Sequence, residues 1–202
     1  VRGRARARLR REEPQEEAAL SQLDEAALGE IARAAVRAVR ADPRGRIVID
    51  GRSGAGKTTI AHQIADDTGA RVVSLDEFYP GWEGLEEATR IAARLVADHA
   101  AGREGAYRRW DWERGAWLRR EHVVDPGIRL IIEGCGSLTA SSARAATASI
   151  WIDGDAAARR QRALERDGDG FRAFWDVWAA QEDAHIRAHD PRRLATYAAD
   201  VV

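Results

Sequence analysis

An α/β fold with a mostly parallel sheet between helices is the architecture this sequence predicts, on three observations. Short apolar runs recur along the chain, and amphipathic or polar helical stretches separate them. The first run, Arg46-Ile-Val-Ile-Asp50, empties into a glycine-rich loop followed by a helical pattern. At 202 residues there is enough chain for one sizeable core of that kind.

The elements follow in order. Ser21 to Asp42 is predicted to be a helix, with Leu28, Ile31, Ala35, Val36 and Val39 on one face and Asp42-Pro-Arg-Gly45 as its stop. After the Arg46–Asp50 strand comes a helix over Lys57–Asp67, then a second strand over Arg71–Leu75. Glu83 to Ala100 opens with Glu83, Glu86 and Glu87, as a helix N-terminus favours. Residues Gly102–Val124 are rich in Trp and Arg and show no clear period. Arg129–Glu133 and Ser149–Asp153 are the third and fourth strands. A long helical region, Ala156 to about His189, is interrupted near Asp167-Gly-Asp-Gly170, and a last strand is expected at Asp200–Val202. No linker argues for a second domain, so residues 21–202 form one expected domain behind a charged extension, 1–20.

Composition narrows the function. Net charge is −1 with 32% charged residues, which gives no global attraction to nucleic acid or acidic membranes. Val1 to Arg11 carries six arginines, but Glu12, Glu13, Glu16 and Glu17 reverse the sign at once, which favours a solvated helix start over a nucleic-acid arm. No apolar run is long enough to span a bilayer and no signal-peptide core follows the arginines, so a cytoplasmic protein is expected. A lone cysteine, Cys135, fits a reducing compartment and is read as buried and inert. The abundance of Ala, Arg and Gly suggests a high-GC bacterial genome. The five histidines show no metal-ligand spacing.

Gly51-Arg-Ser-Gly-Ala-Gly56-Lys57-Thr58 satisfies Gly-x4-Gly-Lys-Thr, with a strand before and a helix after. Glycines there let consecutive backbone N–H groups curl around phosphate oxygens at a helix N-terminus. Gly51, Arg52, Ser53, Gly54, Ala55, Gly56, Lys57, Thr58 and Thr59 are therefore the candidate nucleotide-binding residues. Lys57 can reach the β and γ phosphates, and the Thr58 hydroxyl can ligate Mg²⁺. Of 32 Lys and Arg positions this is the only lysine, and it falls where the motif demands one. A GTPase is excluded, because its guanine-reading Asn-Lys-x-Asp element needs an Asn and a second Lys that the chain lacks.

A small-molecule kinase fits the chain length and needs an acid at the acceptor hydroxyl, an acceptor pocket and cations over the phosphoryl group. Asp76 ends the strand after the phosphate loop, at the sheet edge where α/β proteins bind ligands. Its neighbour Glu77 is expected to face solvent. The segment Tyr107–Trp117 could supply the pocket. Arg159, Arg160, Arg162 and Arg166 offer the cations, with the first, third and fourth of these near one helix face. Glu133, at the end of an apolar strand, is a candidate for the Mg²⁺ site. Phe174, Trp175 and Trp178 at helical spacing are read as core. An ATP-hydrolysing regulatory module is the alternative.

Asp50-Gly-Arg-Ser-Gly-Ala-Gly-Lys-Thr-Thr59, Ser74-Leu-Asp76-Glu-Phe-Tyr79, Ile131-Ile-Glu133-Gly and Arg159–Asp167 occur in the order seen in uridine kinases. The chain resembles, over residues 46–189, a bacterial member of the uridine kinase-like (phosphoribulokinase/uridine kinase) group. That resemblance implies a three-layer P-loop NTPase fold with a mostly parallel central sheet and a helical lid, using ATP and Mg²⁺. It implies Asp76 as general base on a sugar 5′-hydroxyl, with Thr58, Glu133 and Asp76 around the metal and Arg162 and Arg166 on a closing lid. A small-molecule acceptor, in the first place a nucleoside, would lie against Tyr79 and against Trp110-Asp111-Trp112. Two indoles there replace the family's Tyr and Phe, so another hydroxylated metabolite is the competing acceptor. A homo-oligomeric state stays open.

Overall fold

The computed structural model describes residues 26–201. The arginine-rich start, its acidic partner run, the first residues of the helix predicted from Ser21, and Val202 lie outside them.

Five strands form one parallel sheet. In chain order, α1 (26–40) precedes β1 (Arg46–Gly51), α2 (Lys57–Thr68) and β2 (Arg71–Ser74). Next come α3 (Leu85–Ala100), β3 (Gly105–Asp111), β4 (Ala116–Val124), β5 (Leu130–Glu133) and α4 (Ala140–Ala145). The chain closes with β6 (Ala148–Gly154), α5 (Ala156–Arg172), α6 (Trp175–His189), α7 (Pro191–Leu194) and β7 (Tyr197–Val201). The order across the sheet is β2-β5-β1-β6-β7, every pairing parallel. β1 and β5 read as nearly unbroken apolar runs because helices cover both sheet faces.

The strand alternation divides the core in two. Ile47, Ile49, Ile131, Ile150 and Ile152 face one layer, where Ala35, Val36 and Val39 of α1 pack with Ile60 and Ile64 of α2. Val48, Leu130 and Ile132 face the other, against Ala88, Ala92 and Leu95 of α3 and Phe171 and Trp178 from α5 and α6. Of the residues predicted for the α1 face, Leu28 and Ile31 pack only partly, at the margin of the first layer.

Three departures from the sequence expectation have local causes. Gly102–Val124 is an antiparallel hairpin, β3–β4, with a register shift between Arg108 and Trp110. That bulge breaks the two-residue period, and β4 is exposed along most of its length, so no alternating apolar signal exists to read. Leu75, expected to end the second strand, begins a 3-10 turn, Leu75–Glu77, in which the Asp76 N–H donates to the Ser74 hydroxyl. The long helical region is interrupted at Gly168 (φ 69°), inside the expected Asp167–Gly170 stretch, but divides into α5 and α6 only at Ala173–Phe174.

Candidate active site

The C-terminal ends of β1, β2 and β5 meet at one cavity of about 860 Å³. The strand register decides which acids meet there: Glu133 pairs across from Ile49 of β1 and from Ser74 of β2, two residues before Asp76.

The loop between β1 and α2 is held from behind. Asp50, buried at the end of β1, accepts from the N–H groups of Gly136 and Leu138 at 2.9 and 2.8 Å and from His185 Nε2 at 3.0 Å. Glu182 of α6, also buried, accepts from the Ser53 N–H at 2.8 Å and from Trp178 Nε1 at 3.1 Å. Arg159 of α5 is buried rather than part of a mobile cationic face: it donates to the carbonyls of Gly154 and Ser53 and pairs with Asp153 at 3.0 Å. The Arg52 guanidinium turns outward to Asp183, Asp153 and Glu182. Two glycines make this closeness possible. A Cβ at Gly51 would lie 1.9 Å from the Ile152 carbonyl oxygen, and one at Gly54 would lie 2.1 Å from that of Arg159.

On its cavity side the same loop is open. A Cβ on Gly56 would touch nothing within 4 Å, and among the described residues the N–H groups of Gly54 and Gly56 donate to no protein acceptor. The first turn of α2 carries no acid and no side-chain cap. Unpaired donors at a positive helix end fit the anionic phosphates of a nucleotide. Lys57 Nζ lies at 2.9 Å from the Arg52 carbonyl and 3.3 Å from Cys135 Sγ. Burial opposes the lysine's charge, but the carboxylates of Glu133, Glu182 and Asp50 favour it, and the ammonium's pKa is held above its ordinary value. Burial also pushes the Cys135 thiol up to about 12, so it is a neutral neighbour of Lys57 and not a nucleophile.

Thr58 Oγ1 stands 3.4 Å from each oxygen of Glu133. A hydroxyl beside a carboxylate under phosphate donors is the hard-oxygen set that Mg²⁺ prefers. Burial raises the Glu133 pKa, opposed by hydrogen bonds from Ser74 and Thr58 and by the charge of Lys57. Asp76 lines the cavity with its side chain accessible to solvent there. The surrounding protein walls raise its pKa, while Lys57 and Arg166 pull it down. Among the described residues no cluster of three His, Cys, Asp or Glu side chains forms a metal site.

The predicted residues divide by position. Ser53, Gly54, Gly56, Lys57, Thr58 and Thr59 line the cavity, as do Asp76, Tyr79, Trp112, Glu133, Arg162 and Arg166. Gly51, Arg52 and Ala55 support the loop without lining it. Trp110 and Asp111 also lie off the cavity: Trp110 packs edge-on against Trp117 at 5.3 Å, and Asp111 caps the hairpin turn through the Glu113 and Arg114 N–H groups. Trp112 lies past the end of β3, in the turn that Asp111 caps, so it is not held to the strand face that Trp110 takes against Trp117. Glu77, expected in solvent, instead accepts from Tyr107 Oη and Arg109 Nε, both at 2.6 Å, and ties the hairpin to the β2 end. Arg162 donates to the Gly54 carbonyl at 2.9 Å, and Arg166 is clasped by Asp167 at 2.6 and 2.8 Å.

Sequence reasoning missed Trp82, Phe171 and Trp178 as cavity residues. Trp178 was read as core and is both, buried yet facing the cleft with its N–H on Ser53 Oγ at 2.9 Å. Phe171 belongs to α5 and Trp178 to α6, so their shared wall follows from the turn between the helices at Ala173–Phe174 and not from one helical period.

No protein-family model matches the chain, and no curated protein matches it. Solved structures do. A possible uridine kinase from Bacillus stearothermophilus aligns over 86% of this chain and 97% of its own, at 18% identity and a TM-score of 0.55. A proposed fructose transport system kinase from Silicibacter sp. TM1040 aligns over 85% and 98%, at 17% identity and a TM-score of 0.54. The chain shares the fold of these two proteins, a parallel five-stranded sheet between helices. At these identities the likeness shows the fold alone. No helix of the described residues is long and apolar enough to cross a membrane.

Proposed function

We propose that the protein is an ATP-dependent kinase that transfers the γ-phosphate to a hydroxyl group of a small molecule. One observation carries the reading: a strand-end carboxylate, Asp76, shares a cavity with the phosphate-loop lysine, under the electrostatic influence of Lys57 and Arg166. A carboxylate whose pKa is raised from its ordinary value is better matched to taking a proton near neutrality.

Asp76 orients the acceptor hydroxyl and takes its proton as the oxygen attacks. Lys57, with the open N–H groups of Gly54 and Gly56, holds the phosphates. Arg162 and Arg166, at the α5 edge of the cavity, face the transferring group and exclude water. Thr58 and Glu133 are the residues that would hold Mg²⁺, which supplies charge neutralisation on the phosphates when bound. The resemblance makes a nucleoside the first acceptor class, with Tyr79 and Trp112 on its binding wall. Residues 21–202 are the kinase domain in this reading, 1–20 a charged extension, and ATP as donor suits the cytoplasm.

Phosphate transfer from ATP measured across a panel of nucleosides, sugars and other alcohols tests the reading. Asp76→Asn is expected to keep ATP affinity and lose transfer by about 10²–10⁴-fold. Near-normal transfer in that variant sinks the base assignment. ATP hydrolysis indifferent to every acceptor favours a regulatory ATP-binding module.

A further inference from the structure

Among the described residues no N–H or O–H donates to the side-chain oxygens of Asp76. A carboxylate without such bonds takes its position from its own backbone and from the walls around it. That backbone lies in the Leu75–Glu77 turn, which holds itself with little. The N–H groups of Phe78 and Tyr79 share the Leu75 carbonyl at 2.9 and 3.0 Å, and the Asp76 N–H reaches Ser74 Oγ only at 3.4 Å. The Asp76 carbonyl and the Glu77 side chain find their partners outside the turn.

Both bond to the β3–β4 hairpin. Trp112 Nε1 donates to the Asp76 carbonyl at 3.2 Å. Tyr107 Oη and Arg109 Nε converge on one oxygen, Glu77 Oε2, each at 2.6 Å. Tyr107 is also buried beside Phe78, with ring centroids 5.1 Å apart, so the hairpin packs on the residue that follows the turn. At the other end of β2, Arg71 donates to the Val123 carbonyl of β4. The hairpin is therefore fastened to β2 at the strand's start and again just past its end. Three donors from this one element fall on two consecutive residues, and one of the two is Asp76.

We infer that the β3–β4 hairpin positions Asp76 for proton transfer, Trp112 by holding its carbonyl, and Tyr107 and Arg109 by holding the residue after it. The inference rests on the kinase reading and adds three positioning residues to it. Only Trp112 of the three lines the cavity; Tyr107 and Arg109 reach the site through Glu77 and Asp76. Transfer depends steeply on where the base stands, since a displacement of about 1 Å can lower a rate by about 10²-fold. Acceptor binding before reaction does not need the carboxylate at one depth, so the effect belongs in kcat rather than KM.

The test uses the full chain with ATP and the best acceptor from the alcohol panel. Trp112→Phe keeps a ring beside Trp82 and removes the indole N–H. Tyr107→Phe combined with Arg109→Ala frees Glu77 without altering a cavity residue. Each variant is expected to lower kcat by about 10-fold with acceptor KM within about 3-fold of the wild type. Neither should lower transfer further when placed on Asp76→Asn, because both act through that carboxylate. Hydrogen exchange of the Phe78 and Tyr79 amides should quicken by about 10-fold in both, with α2 and β5 unmoved. An unchanged kcat in either variant overturns the inference. So does a loss confined to KM, or one that persists undiminished on Asp76→Asn. If the wild type phosphorylates no alcohol, the kinase reading fails and the exchange decides the hairpin's part alone. Faster exchange at Phe78 and Tyr79 then upholds the hold on the turn, and unchanged exchange overturns it.

Discussion

The two ends of the cavity are built in opposite ways. The end proposed for phosphates is one continuous stretch, Gly51–Thr59, clamped from behind by Asp153, Arg159 and Glu182. The end proposed for the acceptor is a set of rings gathered from the β2 exit, the hairpin turn, α5 and α6. A local turn needs the right residues at consecutive positions, so its chemistry survives in the sequence. An assembled wall needs several segments to arrive together, so its chemistry exists only after folding. In the proposed reading, phosphate binding rests on the locally encoded part of the site, and acceptor choice on the part that packing sets.

Substitutions can test that division. The largest effect is expected from Lys57→Ala, which removes the buried ammonium facing the phosphates and should lower transfer by about 10³-fold, read as kcat with saturating acceptor. Acceptor affinity should stay near normal in the same variant, and a parallel loss would show the two ends to be coupled.

Glu182→Ala attacks the clamp instead of the chemistry. It strands the Ser53 N–H, takes one of two acceptors from Trp178 Nε1, and strips the buried partner of Arg52. A stability loss of about 3 kcal/mol is expected by urea denaturation, since buried donors lose their acceptor. A loss below about 0.5 kcal/mol would mean that the loop holds its shape without α6.

Arg166→Ala is smaller and concerns proton transfer. Arg166 favours the ionised form of Asp76, so its removal lets the Asp76 pKa rise further. A general base acts only when deprotonated, so activity disappears as pH falls through that pKa. The acid limb of kcat/KM should therefore move to higher pH in the variant. A limb that stays in place separates Arg166 from Asp76.

Glu77→Gln should do least, at under about 1 kcal/mol of stability, because its partner Arg109 is exposed and screened by water. It keeps an acceptor for Tyr107 Oη, so any change in acceptor KM would show that the hairpin's attachment positions Trp112.

Much of the fold could be read in advance for reasons visible at single elements. β1 and β5 are buried on both faces and therefore continuously apolar, and α2 begins where the glycines allow the loop to turn. The hairpin could not be read, because β4 is largely exposed and β3 carries a bulge, leaving no period in the sequence. Within the site, Lys57, Thr58, Asp76 and Glu133 stand at strand ends or in the loop, where position in the pattern implies position in space. Trp110 and Asp111 belong to an element whose orientation no pattern specified, and only Trp112 of that trio reaches the cleft. Trp178 and Glu182 look like ordinary residues of an amphipathic helix; nothing local says that their helix packs on the phosphate loop.

By itself the sequence determined the strand–helix alternation, the glycine-rich loop with the single lysine, Glu133 at the end of β5 and Asp76 just beyond β2. Those depend on short-range periodicity, glycine conformation and strand ends, all written within a few consecutive residues. The tertiary structure alone decided that Arg159 is a buried clamp, that Glu182 occupies the Ser53 N–H, and that Trp82, Trp112 and Trp178 share one wall. Contacts between segments a hundred residues apart are set by how helices pack across a sheet, and packing is a property of the whole fold rather than of any one stretch.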